Sequence, residues 1–129
     1  MIELLICDDN PEITKQIKEL ISIFEKKYRI KFQIDIKNSG DFILKDNKSY
    51  DIAIVDIEMP LLNGLDFLRQ LYQQNTKVCA LLLTAYSRFD YAREALRYNV
   101  KDYIVKPIYK ENLLPPVKKV LEKQEEKSR

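Results

Sequence analysis

A chain of 129 residues, of which 46% are hydrophobic and 33% charged, has the size and balance of one globular domain with a single core. Its formal net charge of +2 gives no reason to favour nucleic acid or an anionic membrane as a direct partner. Because the sequence contains no histidine, histidine-based catalytic triads and most zinc catalysis are excluded. Any chemistry must therefore use carboxylates, lysine and hydroxyl groups.

No segment has the composition of a membrane span or a secretion signal. No apolar stretch reaches the roughly eighteen residues that a span requires, and Met1-Ile2-Glu3 begins a strand instead of a basic signal. The two cysteines, Cys7 and Cys79, lie in apolar strand-like segments and are expected to act as small buried apolar residues. We therefore expect a cytoplasmic protein without membrane contact.

The first third of the chain predicts a strand, a helix and a second strand. Ile2–Cys7 is apolar enough, apart from Glu3, to be a parallel strand covered on both faces. Asn10 and Pro11 predict the start of a helix that runs to about Lys27. Its apolar stripe recurs at helical spacing, at Ile13, Ile17, Leu20, Ile21 and Phe24. Residues 32–37 alternate apolar and polar side chains, which predicts a strand at the sheet edge.

The middle of the chain continues the alternation of strands and helices. A short second helix is predicted after Ser39-Gly40, and Ile52–Asp56 is a third, buried strand. A third helix follows Asn63-Gly64, with apolar residues at Leu65, Leu68, Leu71 and Tyr72. Val78–Thr84 is a fourth strand, again apolar enough to be covered on both faces.

The last third predicts two more helices and one more strand. A fourth helix runs from about Ser87 to Tyr98, and Asn99 is a plausible left-handed stop for it. Asp102–Val105 is predicted as a fifth strand, covered on both faces.

The last helix is interrupted by Pro115-Pro116 within Glu111 to Leu121, which predicts a kink or a helix that begins near Pro115. The pattern predicts one domain over residues 1–122, followed by a charged tail or the start of a linker over residues 123–129, with a frayed helix end. The alternation of strands and helices predicts an α/β fold with a parallel sheet covered on both faces.

Charged and hydroxyl side chains stand at the ends of four predicted strands. Asp8 and Asp9 follow the first strand, Asp56 ends the third, Thr84 ends the fourth and Lys106 follows the fifth. Ligand sites of open parallel sheets lie at this edge. Two carboxylates 4 Å apart repel by roughly 4 kcal/mol at an effective dielectric of 20, so three together need a proton, a lysine or a metal.

An all-oxygen cluster selects a hard cation, and Mg²⁺ fits best because it accepts a few carboxylates and leaves positions for a phosphoryl oxygen. With Asp56 as nucleophile, Lys106 as cation and Thr84 as hydroxyl donor, the set indicates phosphoryl transfer. Each residue alone is ordinary, since an Asp that ends a strand is usually a turn residue. Only the ordered set is specific.

The charged residues belong to longer motifs. These are Leu5-Ile6-Cys7-Asp8-Asp9, Ile54-Val55-Asp56-Ile57-Glu58-Met59-Pro60, Asn63-Gly64, Leu83-Thr84-Ala85-Tyr86 and Asp102-Tyr103-Ile104-Val105-Lys106-Pro107. With them the sequence closely resembles the receiver domain of two-component response regulators, from Ile2 to about Leu121. The resemblance implies a flavodoxin-like three-layer αβα sandwich with a five-stranded parallel sheet in the order 2-1-3-4-5. It also implies a signalling domain whose only catalysis is its own phosphotransfer and autodephosphorylation.

The resemblance assigns a role to each residue of the set. It makes Asp56 the phosphoacceptor, which takes a phosphoryl group from the phosphohistidine of a sensor histidine kinase. Mg²⁺ would be bound by Asp9 directly, by Asp8 mainly through water, by Asp56 and by the backbone carbonyl of Glu58. Lys106 would pair with Asp56 and then with the phosphoryl oxygens, and the peptide bond from Lys106 to Pro107 is expected to be cis.

The resemblance also implies a switch. Thr84 would swing towards the phosphoryl group, and Tyr103 would move into the space that Thr84 vacates. The face formed by the fourth helix, the fifth strand and the fifth helix would then change shape, and this face commonly dimerises in such domains. Its candidate exposed residues are Tyr91, Arg93, Arg97, Tyr98, Lys101 and Asp102.

Two residues flank the entrance of the implied site. Glu58 lies two residues beyond Asp56, and its carboxylate either orients a water or repels the phosphoryl group. Tyr86 lies two residues beyond Thr84, and we expect its bulk to shield the acyl phosphate. Dephosphorylation should then be faster in Tyr86→Ala than in the parent.

Two other kinds of protein share part of this residue set or this fold. Phosphohydrolases of the haloacid dehalogenase type carry Asp-x-Asp followed by Thr or Val, whereas this chain has Asp56-Ile57-Glu58-Met59, and its acidic pair precedes the nucleophile. A flavodoxin-like FMN carrier would need Ser, Thr or Gly in the phosphate-binding loop after the first strand, whereas in this chain that loop is rich in Asp. We expect control of transcription through a DNA-binding domain that this sequence does not encode. The alternative is a stand-alone or phosphorylation-independent receiver that acts as a protein-binding module.

Overall fold

The architecture is a five-stranded parallel sheet with helices on both faces. A computed structural model describes residues 1–37, 48–57, 64–74, 77–85 and 93–127 of the chain. The strands lie in the order β2-β1-β3-β4-β5, which confirms the predicted fold class and strand order. Their bounds are Ile2–Cys7 for β1, Phe32–Lys37 for β2, Ile52–Asp56 for β3, Cys79–Thr84 for β4 and Val100–Val105 for β5.

The described helices pack on this sheet. Their bounds are Pro11–Tyr28 for the first helix, Gly64–Gln74 for a middle helix, Leu96–Tyr98 for a 3₁₀ turn and Lys110–Lys127 for the C-terminal helix. The helix predicted after Gly40 and the start of the one predicted from Ser87 lie outside the described residues. Among the described helices, none combines the length and the apolar composition that crossing a bilayer requires.

The first helix begins and packs as its sequence predicts. The Asn10 side chain accepts a hydrogen bond from the Glu12 N–H at 2.9 Å, so it caps the free N–H groups of the first turn. Three residues of the predicted stripe, Ile17, Ile21 and Phe24, are fully or almost fully buried against the sheet. Burial of each contributes about 1.5–3 kcal/mol, so packing rather than intrinsic propensity holds this helix in place.

The sheet separates two apolar cores. On one face Leu4, Ile6 and Ile54 pack with the first and C-terminal helices. On the other, Leu5, Val55 and their neighbours pack with the middle helix. The two sets alternate along β1 and β3, as side chains on a strand must, and both predicted cysteines are buried. The central strands are therefore covered on both faces.

The two edge strands differ from one another in how well they were predicted. β2 lies at the predicted edge, but its burial does not alternate residue by residue, because Phe32 is buried whereas Gln33 and Ile36 are exposed. The prediction that the fifth strand is covered on both faces is wrong, because β5 is the other edge and its Lys101, Asp102 and Val105 are exposed. Ala80 faces Val100 while Leu81 faces Asp102, so Lys101 is an extra residue that forms a bulge in β5.

The C-terminal helix runs through both prolines. It begins at Lys110, so the alternative that it begins near Pro115 is wrong. Pro115 and Pro116 cannot donate hydrogen bonds to the carbonyls one turn earlier, which costs about 3 kcal/mol for an interior proline. Burial of Leu113, Val117 and Val120 against the sheet offsets that loss.

The end of this helix is fastened to the sheet. The Gln124 side chain donates a hydrogen bond at 3.0 Å to the carbonyl oxygen of Asp51, just before β3. Helical structure continues to Lys127, so most of the predicted tail is helix.

Candidate functional site

Three carboxylates meet at the carboxyl edge of the sheet. β1 and β3 are neighbours, with Cys7 facing Val55, so the residue after each of these, Asp8 or Asp56, reaches the same point of the edge. One carboxylate oxygen from each of Asp8, Asp9 and Asp56 lies within 4.8 Å of the other two. Asp8 and Asp56 are buried, whereas Asp9 is exposed. The cluster therefore has a buried floor and one side open to solvent.

Lys106 contacts two of the three carboxylates. Its Nζ lies 3.1 Å from Asp56 Oδ2 and 3.2 Å from Asp8 Oδ2. The motifs predicted that Lys106 pairs with Asp56, but its contact with Asp8 was not predicted. The signal was present, since any lysine placed among three carboxylates can reach more than one. One ammonium thus holds both buried carboxylates.

Neighbouring strands fix the backbone around this lysine. Thr84 ends β4 and faces Val105 in β5, and the Lys106 N–H donates to the Thr84 carbonyl at 2.7 Å. The Thr84 side chain is buried. Tyr103 faces Leu82 and is half-buried against the core that contains the middle helix. The peptide bond between Lys106 and Pro107 is cis.

Burial sets the electrostatics of the floor. Burial raises the pKa of the Asp8 carboxyl, although the backbone N–H of Asn10, at 2.9 Å from Oδ1, and the Lys106 charge both oppose this shift. For Lys106, burial disfavours the charge, but Asp8 and Asp56 outweigh it and raise the pKa, so the ammonium persists at neutral pH. Burial and the adjacent Asp8 charge raise the pKa of the Cys7 thiol, which keeps it protonated.

The cluster fits a hard divalent cation. Among the described residues, two buried carboxylate oxygens accept no hydrogen bond, Asp8 Oδ2 and Glu3 Oε2. Asp8 Oδ2 faces a lysine that it shares with Asp56, so the two buried carboxylates divide the charge of that ammonium between them. Three carboxylates, two of them buried, form the oxygen-rich and negatively charged site that Mg²⁺ prefers.

Several predicted residues fall elsewhere. Glu58, Tyr86 and Tyr91 lie outside the described residues. Arg93, Arg97, Lys101 and Asp102 are exposed, as the prediction of an interaction face requires.

Tyr98 is the exception on that face. Its side chain is half-buried and its ring lies 6.2 Å from the ring of Tyr72, because Tyr98 packs against the core of the middle helix.

Two side chains that contact the Lys106 loop were not identified from sequence. Asn112 and Gln16 each donate to backbone carbonyls close to Lys106. Asn112 stands at the third residue of a helix, a position where polar side chains often cap, so it carried a usable signal. Gln16 lies 92 residues from its partner Ile108, and nothing local could have indicated that contact.

The fold and the acidic edge define a class of protein. The family model of the response regulator receiver domain matches residues 4–118, and the chain belongs to this family. The resemblance inferred from the motifs is therefore confirmed. The chain is a signalling domain of two-component systems and not a conventional enzyme.

Particular relatives narrow the description. The chain is 32% identical over 127 residues to "Response regulator ArlR" of Staphylococcus epidermidis, covering 98% of this chain and 56% of that protein. It is 33% identical over 107 residues to "Transcriptional regulatory protein MalR" of Bacillus subtilis, covering 83% of this chain and 45% of that protein. The chain thus spans about half the length of these curated relatives.

Solved structures agree on the fold. A CheY-like response regulator receiver domain protein from Methanospirillum hungatei superposes with a TM-score of 0.85 at 21% identity, covering 98% of both chains. A receiver domain described as BeF3-activated DrrB superposes with a TM-score of 0.79 at 23% identity, covering 95% of this chain and 98% of that one. At these identities the likeness supports the architecture.

Proposed function

We propose that this receiver accepts a phosphoryl group on Asp56 from the phosphohistidine of a partner sensor histidine kinase. An Asp56 carboxylate oxygen attacks phosphorus, the bond from phosphorus to the imidazole nitrogen breaks, and the imidazole leaves with the electron pair. The product is an acyl phosphate on Asp56. The observation that carries the proposal is the buried Asp56 carboxylate, which lies 3.1 Å from Lys106 within the three-carboxylate cluster.

The surrounding residues each have a part in this proposal. Asp8, Asp9 and Asp56, with the backbone carbonyl of Glu58, would hold Mg²⁺. When bound, the ion supplies positive charge for the phosphoryl oxygens. Lys106 keeps its proton and pairs with the same oxygens, because its neighbours raise its pKa.

Thr84 and Tyr103 carry the signal outward in this proposal. The Thr84 hydroxyl donates to the phosphoryl group, and Tyr103 then moves inward. The face that includes β5 and the C-terminal helix changes shape, with a change in homodimerisation and control of transcription as the outputs. The name of the relative from Bacillus subtilis, "Transcriptional regulatory protein MalR", supports the transcriptional output, and DNA would be bound by a separate domain.

Mass spectrometry with a small phosphodonor tests the proposal. The parent, Asp56→Asn and Asp66→Asn are each incubated with acetyl phosphate and Mg²⁺, and their intact masses are measured. Asp66 is an exposed helical carboxylate and serves as the matched control. We expect a gain of one phosphoryl group in the parent and in Asp66→Asn, none in Asp56→Asn, and none with a chelator.

Two outcomes contradict the proposal. A gain in Asp56→Asn equal to that of the parent would place the phosphoryl group on another residue. No gain in the parent, with either acetyl phosphate or a sensor kinase, would favour the phosphorylation-independent binding module.

A further inference from the structure

The loop that carries Lys106 is bound by an asparagine from the C-terminal helix. Asn112 Nδ2 donates to the Val105 carbonyl at 3.3 Å and to the Pro107 carbonyl at 3.1 Å. Its Oδ1 accepts from the Tyr109 N–H at 2.8 Å. The Oδ1 atom caps the start of the helix, whereas the Nδ2 atom forms hydrogen bonds with the residues on both sides of Lys106. One side chain thus has two separable roles.

A glutamine from the first helix binds the same loop from the other side. Gln16 Nε2 donates to the Ile108 carbonyl at 2.6 Å, and the Ile108 side chain is fully buried. Together with the bond from the Lys106 N–H to the Thr84 carbonyl, these contacts fix the backbone immediately before and after the lysine. The loop is therefore held by β4 and by two helices.

The position of this backbone matters because of what the lysine side chain does. A lysine has a flexible four-carbon stem of limited reach, so the position of its Cα and the carboxylates around it together decide where the ammonium lies. Lys106 Nζ contacts Asp56 and Asp8 at almost equal distances, 3.1 and 3.2 Å. A small displacement of its Cα would favour one carboxylate over the other, and catalytic groups misplaced by 1 Å can lose a hundredfold in rate.

We propose that Asn112 and Gln16 are positioning residues for Lys106, which they hold so that its ammonium serves Asp56 and Asp8 together. This rests on the proposed function, because the reaction they tune is phosphoryl transfer to Asp56. Neither residue touches the carboxylates; both act through the lysine.

Substitutions that separate the two atoms of Asn112 test the proposal. Asn112→Asp keeps the oxygen that accepts from the Tyr109 N–H but loses the hydrogen bonds donated to the Val105 and Pro107 carbonyls. Asn112→Ala loses all three hydrogen bonds. Gln16→Glu likewise loses its donor. Gln124→Ala is the matched control, because it removes a hydrogen bond from a side-chain amide to a backbone carbonyl at the opposite end of the domain.

We expect Asn112→Asp, Asn112→Ala and Gln16→Glu to slow phosphorylation by acetyl phosphate about threefold to tenfold per folded molecule, the range that a lost hydrogen bond produces. Gln124→Ala should keep the parental rate. In a Lys106→Met background, Asn112→Asp should cause no further loss. If Asn112 only caps its helix, Asn112→Ala will lose stability and Asn112→Asp will retain the parental rate, which overturns the proposal.

A nuclear magnetic resonance measurement keeps this test independent of the proposed function. The side-chain signal of Lys106 should shift in Asn112→Ala and Gln16→Ala, which remove the hydrogen bonds without adding a charge, while the signal of Lys48 stays unchanged. A parent that accepts no phosphate would refute the phosphoacceptor role, and the Lys106 shift would still decide the positioning role. Unchanged Lys106 signals in both variants would overturn it.

Discussion

Two lysines of this domain each contact two carboxylates, and the comparison shows what burial does to the same arrangement. Lys48 Nζ lies 2.7 Å from Asp35 and 3.2 Å from Glu3, and Lys106 lies at similar distances from Asp56 and Asp8. The Asp35 and Glu3 side chains are 28% and 33% exposed, whereas Asp8 is 0% exposed.

The pKa values of Asp35 and Asp8, one carboxyl from each cluster, shift in opposite directions. Hydrogen bonds from Lys48 and from the Tyr50 hydroxyl lower the pKa of Asp35, and the small burial there does not reverse this. Burial raises the pKa of Asp8 despite Lys106. The carboxylates of the Lys48 cluster are partly open to solvent, whereas the Lys106 cluster buries two carboxylates beside one ammonium, and a further cation would relieve that buried negative charge.

Removal of each lysine should give the largest difference between the clusters. In metal-free buffer at neutral pH, Lys106→Met should lower the free energy of unfolding by about 3 kcal/mol, because two buried carboxylates lose the cation that they share. Lys48→Met should change it little, since exposed ion pairs contribute little. Urea denaturation followed by circular dichroism measures both, and equal losses would contradict the contrast.

Addition of Mg²⁺ should act on only one cluster. At a concentration ten times the dissociation constant, binding stabilises the folded state by about 1.4 kcal/mol, or roughly 5 °C in melting temperature. We expect this shift in the parent and in Asp35→Asn, with ionic strength matched by KCl. A shift of the same size in Asp9→Asn, which lacks one of the three carboxylates, would argue against the site.

The pH dependence of stability should have opposite signs in the two clusters. The folded-state pKa of Asp8 lies above its ordinary value of 3.8, so its ionisation reduces stability as pH rises from 3.8 through the raised value. The folded-state pKa of Asp35 lies below 3.8, so its contribution is present above 3.8 and is lost as pH falls through the lowered value.

In metal-free buffer at pH 7, Asp8→Asn should therefore be more stable than the parent and Asp35→Asn less stable. Both differences should vanish in acid, below the range in which these carboxyls titrate. Thermal melts across this range measure the effect, and two differences of the same sign would refute the assignment to burial.

The sequence predicted correctly the features that depend on residues close to one another in the chain. Continuous apolar runs identified the three central strands, and the residues that end or follow them gave the members of the acidic cluster. Asn10 and Asn99 were correctly placed at helix ends, because capping and left-handed backbone are local preferences.

Features that depend on neighbours distant in sequence were missed. β5 is apolar enough to look buried, but its place at the edge follows from the order of all five strands. The prolines predicted a kink or a later start for the C-terminal helix, whereas packing of residues on both sides of them decides where it begins. The bond from Gln16 to Ile108 could not be read from either segment alone.

The bulge at Lys101 reverses which side chains of β5 face each side of the sheet from that residue onward. Val100 and Tyr103 pack against the same core although they are three residues apart, a spacing that would place them on opposite faces of a regular strand. The extra residue brings Tyr103 onto that face and sets Val105 against Thr84, so Lys106 emerges just beyond the sheet. Lys101, which lies outside the acidic cluster, thus determines both the face on which Tyr103 lies and the position at which Lys106 leaves the sheet.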